Sequence, residues 1–384
     1  MRSFDVGIVG AGVHGASAAF HLARRGAQVV VFERSVPAGG PTGRSSAVCR
    51  ANYTNLFLAE VARDSLAMLA DFTELTGRSS GLCRTGLMYL HPPGDEIQVK
   101  AAGPRLREIG VDVDVLEGEA LSAALPGFEL DEVAVAVWEP GGGYADPAST
   151  TEGLLAAAVR QGADLRLNTA VTTVRDRAAG VLVVSADGAR TEVGRLLVAA
   201  GPWTRPLARQ VGVDLPLAVE RHAVASFRRA GAPPFPFGFA DLPGGYYFKP
   251  DGAEQFQIAS LASAANADPD DFAEDVFGHE VSGLAADLIR RVPALADAEP
   301  RGGWASLYDV SPDWQPVIGQ ISEHVYVDAG TSGHGFKLAP ALGAHVAALL
   351  ADDPVDDRLD QFRPGRFERG RRLDSGYGET RIMG

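Results

Sequence analysis

Two glycine-rich stretches near opposite ends of this 384-residue chain hold the residues best placed to do chemistry. The first reads GAGVHG, with Gly10, Gly12 and Gly15 at the spacing G-x-G-x-x-G. The second, GTSGHGFKLAP at 330–340, places Gly333, His334, Gly335 and Phe336 ahead of Lys337, one of three lysines in the chain beside Lys100 and Lys249. In the first stretch the opening glycine permits a tight turn, and the second lets backbone approach a pyrophosphate. The third lets a helix pack close on a strand, so that phosphates meet the helix N-terminus. Glu33 ends the next apolar run, AQVVVFER, where a carboxylate can accept hydrogen bonds from a ribose diol. That acid disfavours a 2′-phosphate and hence NADP. Val13 and His14 fill the variable slots of the motif, His14 in an expected structural role, and Arg34 follows Glu33. A nicotinamide and a flavin dinucleotide are both open at this point.

Such residues need a strand–turn–helix–strand unit to hold them. Phe4 to Val9 reads as a strand buried on both faces, about Val13 to Arg25 as an Ala-rich helix closed by Gly26, and AQVVVFER as the second strand. The glycine- and serine-rich stretch from Ser35 to Tyr53 is too long for a plain connection, and loops of that length are usually functional. A helix is expected over about Leu56–Thr76, another around Glu280–Arg291, and a last one over about Ala339–Leu350 with Pro340 in its first turn. Between about Leu215 and Trp304 the texture turns to aromatic, proline-broken strands such as GGYYFKP and FQIASL. Strand–helix units at both ends with unlike material between predict an α/β (α+β two-domain) fold. A discontinuous dinucleotide domain (1–82, 144–214 and 305–365) carries an inserted sheet-rich domain (83–143 and 215–304), and a polar mobile tail follows at 366–384.

The formal net charge of -14 argues against nucleic-acid or anionic-membrane partners, which call for a basic face. No apolar run reaches the ~18 residues of a membrane span. Two cysteines, Cys49 and Cys83, make neither a disulfide framework nor a zinc site. The N-terminus enters a strand at once, without the apolar core of a signal peptide. Together these point to the reducing cytoplasm.

The segments GIVGAGVHGASAAFHLARRGAQVVVFER, TGRSSAVCR, GGGYADP, LLVAAGPWT, WASLYDVSPDWQPVIG and GTSGHGFKLAP run in order across nearly the whole chain. In that combination the sequence resembles the D-amino acid oxidase superfamily of FAD enzymes, in its sarcosine oxidase and glycine oxidase branch. The resemblance implies a Rossmann-like FAD-binding domain with an inserted mixed/antiparallel β-sheet substrate domain. It implies oxidation of the C–N bond of a small amino acid or N-substituted glycine to an imine, by hydride transfer to FAD, with O2 as acceptor. The substrate is then a small amine bearing a carboxylate. Lys337 and Arg50 would hold that carboxylate; Lys337 and a helix N-terminus would meet the charge of reduced flavin. Tyr308 and one of Tyr246 and Tyr247 would wall the amine. Arg44, Ser45 and Ser46 would contact FAD from the loop over it, Val171 would offer its backbone to the adenine, and Ala200, Gly201 and Trp203 would approach at a strand end.

Two positions depart from the family pattern. Ser306 stands where a cysteine would tether the flavin, so FAD is expected to be non-covalent. Gln257 stands where a lysine would activate oxygen, leaving Lys249 as the replacement or leaving a dehydrogenase that passes electrons elsewhere. A non-catalytic flavoprotein subunit is a further reading. It is disfavoured because paired buried cations need an anion. An NAD-dependent dehydrogenase leaves the late glycine motif unexplained.

Overall fold

The computed structural model describes residues 4–231 and 235–374. Its first unit is β1 (Phe4–Val9), α1 (Val13–Arg24) and β2 (Val29–Phe32). The two strands pair in parallel, Val6 to Val29 through Val9 to Phe32. Gly10 turns the chain at φ +107°, and a Cβ on it would lie 2.4 Å from the Ala199 carbonyl oxygen. A Cβ on Gly15 would lie 2.0 Å from the Gly10 carbonyl oxygen, so α1 can rest on the turn only without one.

An eight-stranded sheet surrounds this unit. It runs Val171–Arg177, Gly180–Ser185, Arg190–Val198, β1, β2, Asp164–Arg166. The end of Arg190–Val198 pairs in parallel with Val325–Ala329, which carries Val317–Gln320 antiparallel beside it. Early, middle and late segments therefore lie next to one another. A second eight-stranded sheet orders Glu299–Val310, Ala218–Arg228, Gln255–Ser260, Tyr246–Asp251, Gly238–Asp241, Leu87–His91, Val135–Glu139 and Asp114–Leu116. Its strands are antiparallel except where Gly238–Asp241 meets Leu87–His91. Val48–Cys49, Gly143–Tyr144 and Cys83–Arg84 form a small third sheet. The fold is mixed α/β, as expected, although residues 304 and 305 fall inside one strand of the second sheet.

Several elements differ from the sequence expectation. The helix expected over 56–76 is two, Leu56–Ala70 and Phe72–Thr76, parted at Asp71. Helices at Glu96–Glu108 and Gly118–Ala124 were not anticipated, because Gly103 and Pro104 interrupt the first and the second is short. The last helix begins at Gly335 rather than Ala339, which puts Pro340 in its second turn. Pro340 has no N–H to return to the preceding turn. Side chains of two other helices repair the region. Ser17 Oγ (3.0 Å) and His21 Nε2 (2.9 Å) donate to the Pro340 carbonyl. Ser65 Oγ donates to the Leu338 carbonyl and accepts from the Ala341 N–H, each at 3.0 Å. The expected mobile tail is held as far as it is described. Arg366 is buried and donates to both oxygens of Asp313 at 2.9 Å, and the Leu373 N–H donates to the same carboxylate. Residues 375–384 lie outside the described residues.

Candidate active site and cofactor cavity

A cavity of about 580 Å3 lies where the glycine turn, the long 35–53 loop and the second sheet converge. Gly10, Gly12, Val13 and His14 line it from the turn and the start of α1. The Val13 N–H donates to Thr42 Oγ1 at 3.2 Å, tying the long loop to the helix start. Glu33 lines the far end, its two oxygens accepting from the Ala11 and Ser35 N–H groups at 2.8 Å each. Val171 lines the same end, at a point where strand register slips between Val171 and Thr173. Ala200, Gly201 and Trp203 line the wall beyond Arg190–Val198. Arg34 stacks over the Trp203 ring at 3.7 Å, and both donate to Asp270 Oδ1. Arg44 lines the mouth and pairs with Glu274 at 2.7 Å.

The late motif closes the cavity. Gly333 and Gly335 line it with Phe336. Gly333 has φ +81°, and a Cβ there would sit 2.5 Å from the Tyr308 ring, so this loop can lie against the tyrosine only as glycine. Gly15 and His334 are not among the lining residues. Gly15 acts beneath the turn, and His334 is buried beside the Tyr53 ring, centroids 5.6 Å apart.

A smaller cavity of about 80 Å3 adjoins the large one and shares Ser45, Ser46, Tyr247, Tyr308, Gly333 and Phe336 with it. Arg50 and Lys337 line it. Both are buried, at 4% and 8% exposure. Arg50 lies over the Tyr53 ring at 4.0 Å and donates to the Asn52 carbonyl. Behind it Glu139 accepts from the Ala51 N–H at 2.6 Å and the Tyr89 hydroxyl at 2.7 Å. Burial pushes the Glu139 carboxyl up from its usual value, against these bonds and Arg50. Burial, and after it the Arg50 charge, pulls the Lys337 ammonium down to about 7. The full positive charge expected of Lys337 is thus corrected to a partial one at neutral pH, because the pull of Cys49 and Glu139 is smaller than its loss of water and the repulsion of Arg50.

Of the tyrosines, Tyr247 and Tyr308 face the cavities and Tyr246 does not. Adjacent strand residues point to opposite faces, and Tyr246 packs near Phe239, centroids 5.9 Å apart, in a separate core cluster. The Tyr247 hydroxyl is 2.7 Å from Ser46 Oγ, and burial pushes it up to about 12. Burial raises Tyr308 further, and His222 stacks on its ring at 3.9 Å. Lys249 lines neither cavity: its ammonium lies over the Tyr144 ring at 4.4 Å and 3.5 Å from Asp251. Gln257 donates to that same Asp251. Thr42, His222, Asp309 and Asp328 also line the large cavity and were missed; Thr42 sits unremarked inside TGRSSAVCR, and the other three are single polar residues on strands.

A family model described as FAD dependent oxidoreductase (DAO) matches residues 5–349. The chain belongs to this family. It is 26% identical over 390 residues to monomeric sarcosine oxidase of Streptomyces avermitilis, covering 95% of this chain and 98% of the relative. It is 28% identical over 387 residues to N-methyl-L-tryptophan oxidase of Yersinia pestis, covering 95% and 99%. Glycine oxidase of Geobacillus kaustophilus superposes with a TM-score of 0.81 at 26% identity, over 95% of this chain and 99% of that one. FAD is the cofactor of this family, and the large cavity suits it. Its volume falls in the range of cofactor sites, a helix N-terminus and bare glycine backbone face a dinucleotide phosphate, and Glu33 stands at the far end. Among the described residues no helix is long and apolar enough to cross a membrane.

Proposed function

We propose that this DAO-family chain oxidises the C–N bond of a small amino acid or N-substituted glycine, of the sarcosine or glycine kind, to an imine. The observation that carries the reading is the pairing of Arg50 and Lys337, both buried, on a cavity of about 80 Å3 that opens onto the cofactor cavity. FAD, when bound, supplies the hydride acceptor. The chain supplies placement. Arg50 and Lys337 take the substrate carboxylate, which fixes the α-carbon at the junction of the two cavities. Tyr247, Tyr308 and Phe336 wall that junction and keep water from it. Both tyrosines stay neutral phenols across the physiological range and offer no base to the amine. The end formed by Leu87, Phe239, Phe248 and Leu261 is apolar and suits an apolar substituent on the substrate.

The cofactor is held without a covalent bond: Ser306 lines the large cavity and offers only a hydroxyl. O2 is the acceptor in this reading. Lys249 favours a second reading, a dehydrogenase, because its ammonium is spent on Tyr144 and Asp251, outside both cavities. Anaerobic addition of sarcosine, glycine, proline and D- and L-amino acids, followed by bleaching of the flavin bands, tests the substrate class. A carboxylated amine should bleach the protein and its decarboxylated analogue should not; equal bleaching by both would sink the reading. Admission of air then separates oxidase from dehydrogenase by the rate at which colour returns.

A further inference from the structure

His14 is the one histidine in the wall of the cofactor cavity that bridges two elements far apart in sequence. Its Nδ1 lies 2.8 Å from Asp328 Oδ2 and its Nε2 3.1 Å from the Gly335 carbonyl oxygen. A carboxylate and a carbonyl both accept, so both ring nitrogens must donate, which only the doubly protonated ring can do. Asp328 is 2% exposed and lies at the end of Val325–Ala329. A second carboxylate, Asp309 on Glu299–Val310 of the second sheet, acts on the same ring, held by the Gly330 N–H at 2.6 Å and Thr331 Oγ1 at 3.3 Å. Burial acts against a charged ring, and among the described residues Asp328 first, then Asp309 and the Gly335 carbonyl, outweigh it. All four residues line the cavity. The fit is tight, since a Cβ on Gly335 would come within 2.9 Å of His14 Nε2 and 2.8 Å of Thr331 Oγ1.

We propose that His14 is a standing imidazolium that fixes the 330–335 loop against the start of α1 and thereby holds FAD in its cavity. It is a positioning residue. Its hydrogen bonds set where the Gly335 carbonyl points, and through it where the first turn of the last helix presents its N–H groups. Asp328 keeps the ring charged, and Asp309 ties the same loop from its other side. Deprotonation of His14 breaks one of the two bridges, so FAD retention weakens as pH rises through the His14 pKa, which burial pulls down but Asp328, Asp309 and the Gly335 carbonyl together hold above the ordinary 6.5. The proposal rests on the family's cofactor and not on the substrate reading, and its test reads cofactor binding alone.

In the holoenzyme, 15N-edited NMR at pH 7 should show His14 protonated at both nitrogens. A singly protonated ring there overturns the proposal, and this measurement needs no variant. His14→Gln should raise the FAD Kd at pH 7 at least threefold and remove the alkaline weakening that the wild type shows. Asp328→Asn should also raise the Kd at least threefold and bring the His14 titration to lower pH. A His14→Gln Kd within threefold of wild type, with the same pH profile, overturns the proposal as well.

Discussion

Lys337 is a lysine held at the edge of its own charge. The unfolded chain keeps that proton to about pH 10.5, whereas the folded protein releases it near 7. Between those values the unfolded state binds more protons, so stability rises with pH at up to ~1.4 kcal/mol per pH unit, and below 7 the full cost is present. Lys337→Met should therefore be more stable than wild type at pH 7, with the gap closing towards pH 10; urea titrations at both values check it. An arriving carboxylate restores the ammonium, so binding of a carboxylate that carries no amine, such as acetate, at pH 8 should take up a proton. Calorimetry in two buffers of different ionisation enthalpy measures that uptake, and Lys337→Met should abolish it. Arg50→Ala should raise KM for a carboxylated amine roughly ten- to a hundred-fold, the worth of a charged hydrogen bond of ~1.5–3 kcal/mol. Unchanged kinetics would remove Arg50 from the site.

At the scale of elements, α1 and the last helix are joined more closely than any pattern of apolar residues would suggest. A Cβ on Gly343 would lie 2.2 Å from Ser17 Oγ, and His21 is buried against Pro340 as a neutral ring that burial holds down to about 4. The unfolded chain protonates His21 near 6.5, so its contribution is whole above that pH and is lost as pH falls towards 4. His21→Gln should flatten the acid limb of a stability–pH curve over that window by up to about 3 kcal/mol. The glycine turn, β1, β2 and α1 were legible because their signals are local: an apolar run, three glycines and an acid at fixed spacing. The start of the last helix was not. Pro340 reads as a beginning until Ser17, His21 and Ser65 arrive from elsewhere to satisfy the backbone around it. Choosing Tyr247 over Tyr246 needed the pleat of one strand, which a register error of one residue inverts. Arg50 and Lys337 were named through family resemblance, and their burial and mutual repulsion appear only in three dimensions.

For the molecule as a whole, its two thiols report on folding. Cys49 is fully buried, and burial pushes it up to about 12; Cys83 is exposed. A disulfide reagent at pH 8 should titrate one thiol in the native protein and two in urea, with Cys83→Ser removing the fast one. Two fast native thiols would contradict the burial of Cys49 in the strand Val48–Cys49.

The repair of the last helix by Ser17, His21 and Ser65 carries a further consequence, for biosynthesis. A growing polypeptide has α1 and Ser65 long before it has Pro340, and β1 is made long before Val325–Ala329 completes its sheet. Until Leu338 and Pro340 are made these polar groups wait without their acceptors, and the cofactor cavity lacks the wall that Thr331, Gly333, Gly335 and Phe336 supply.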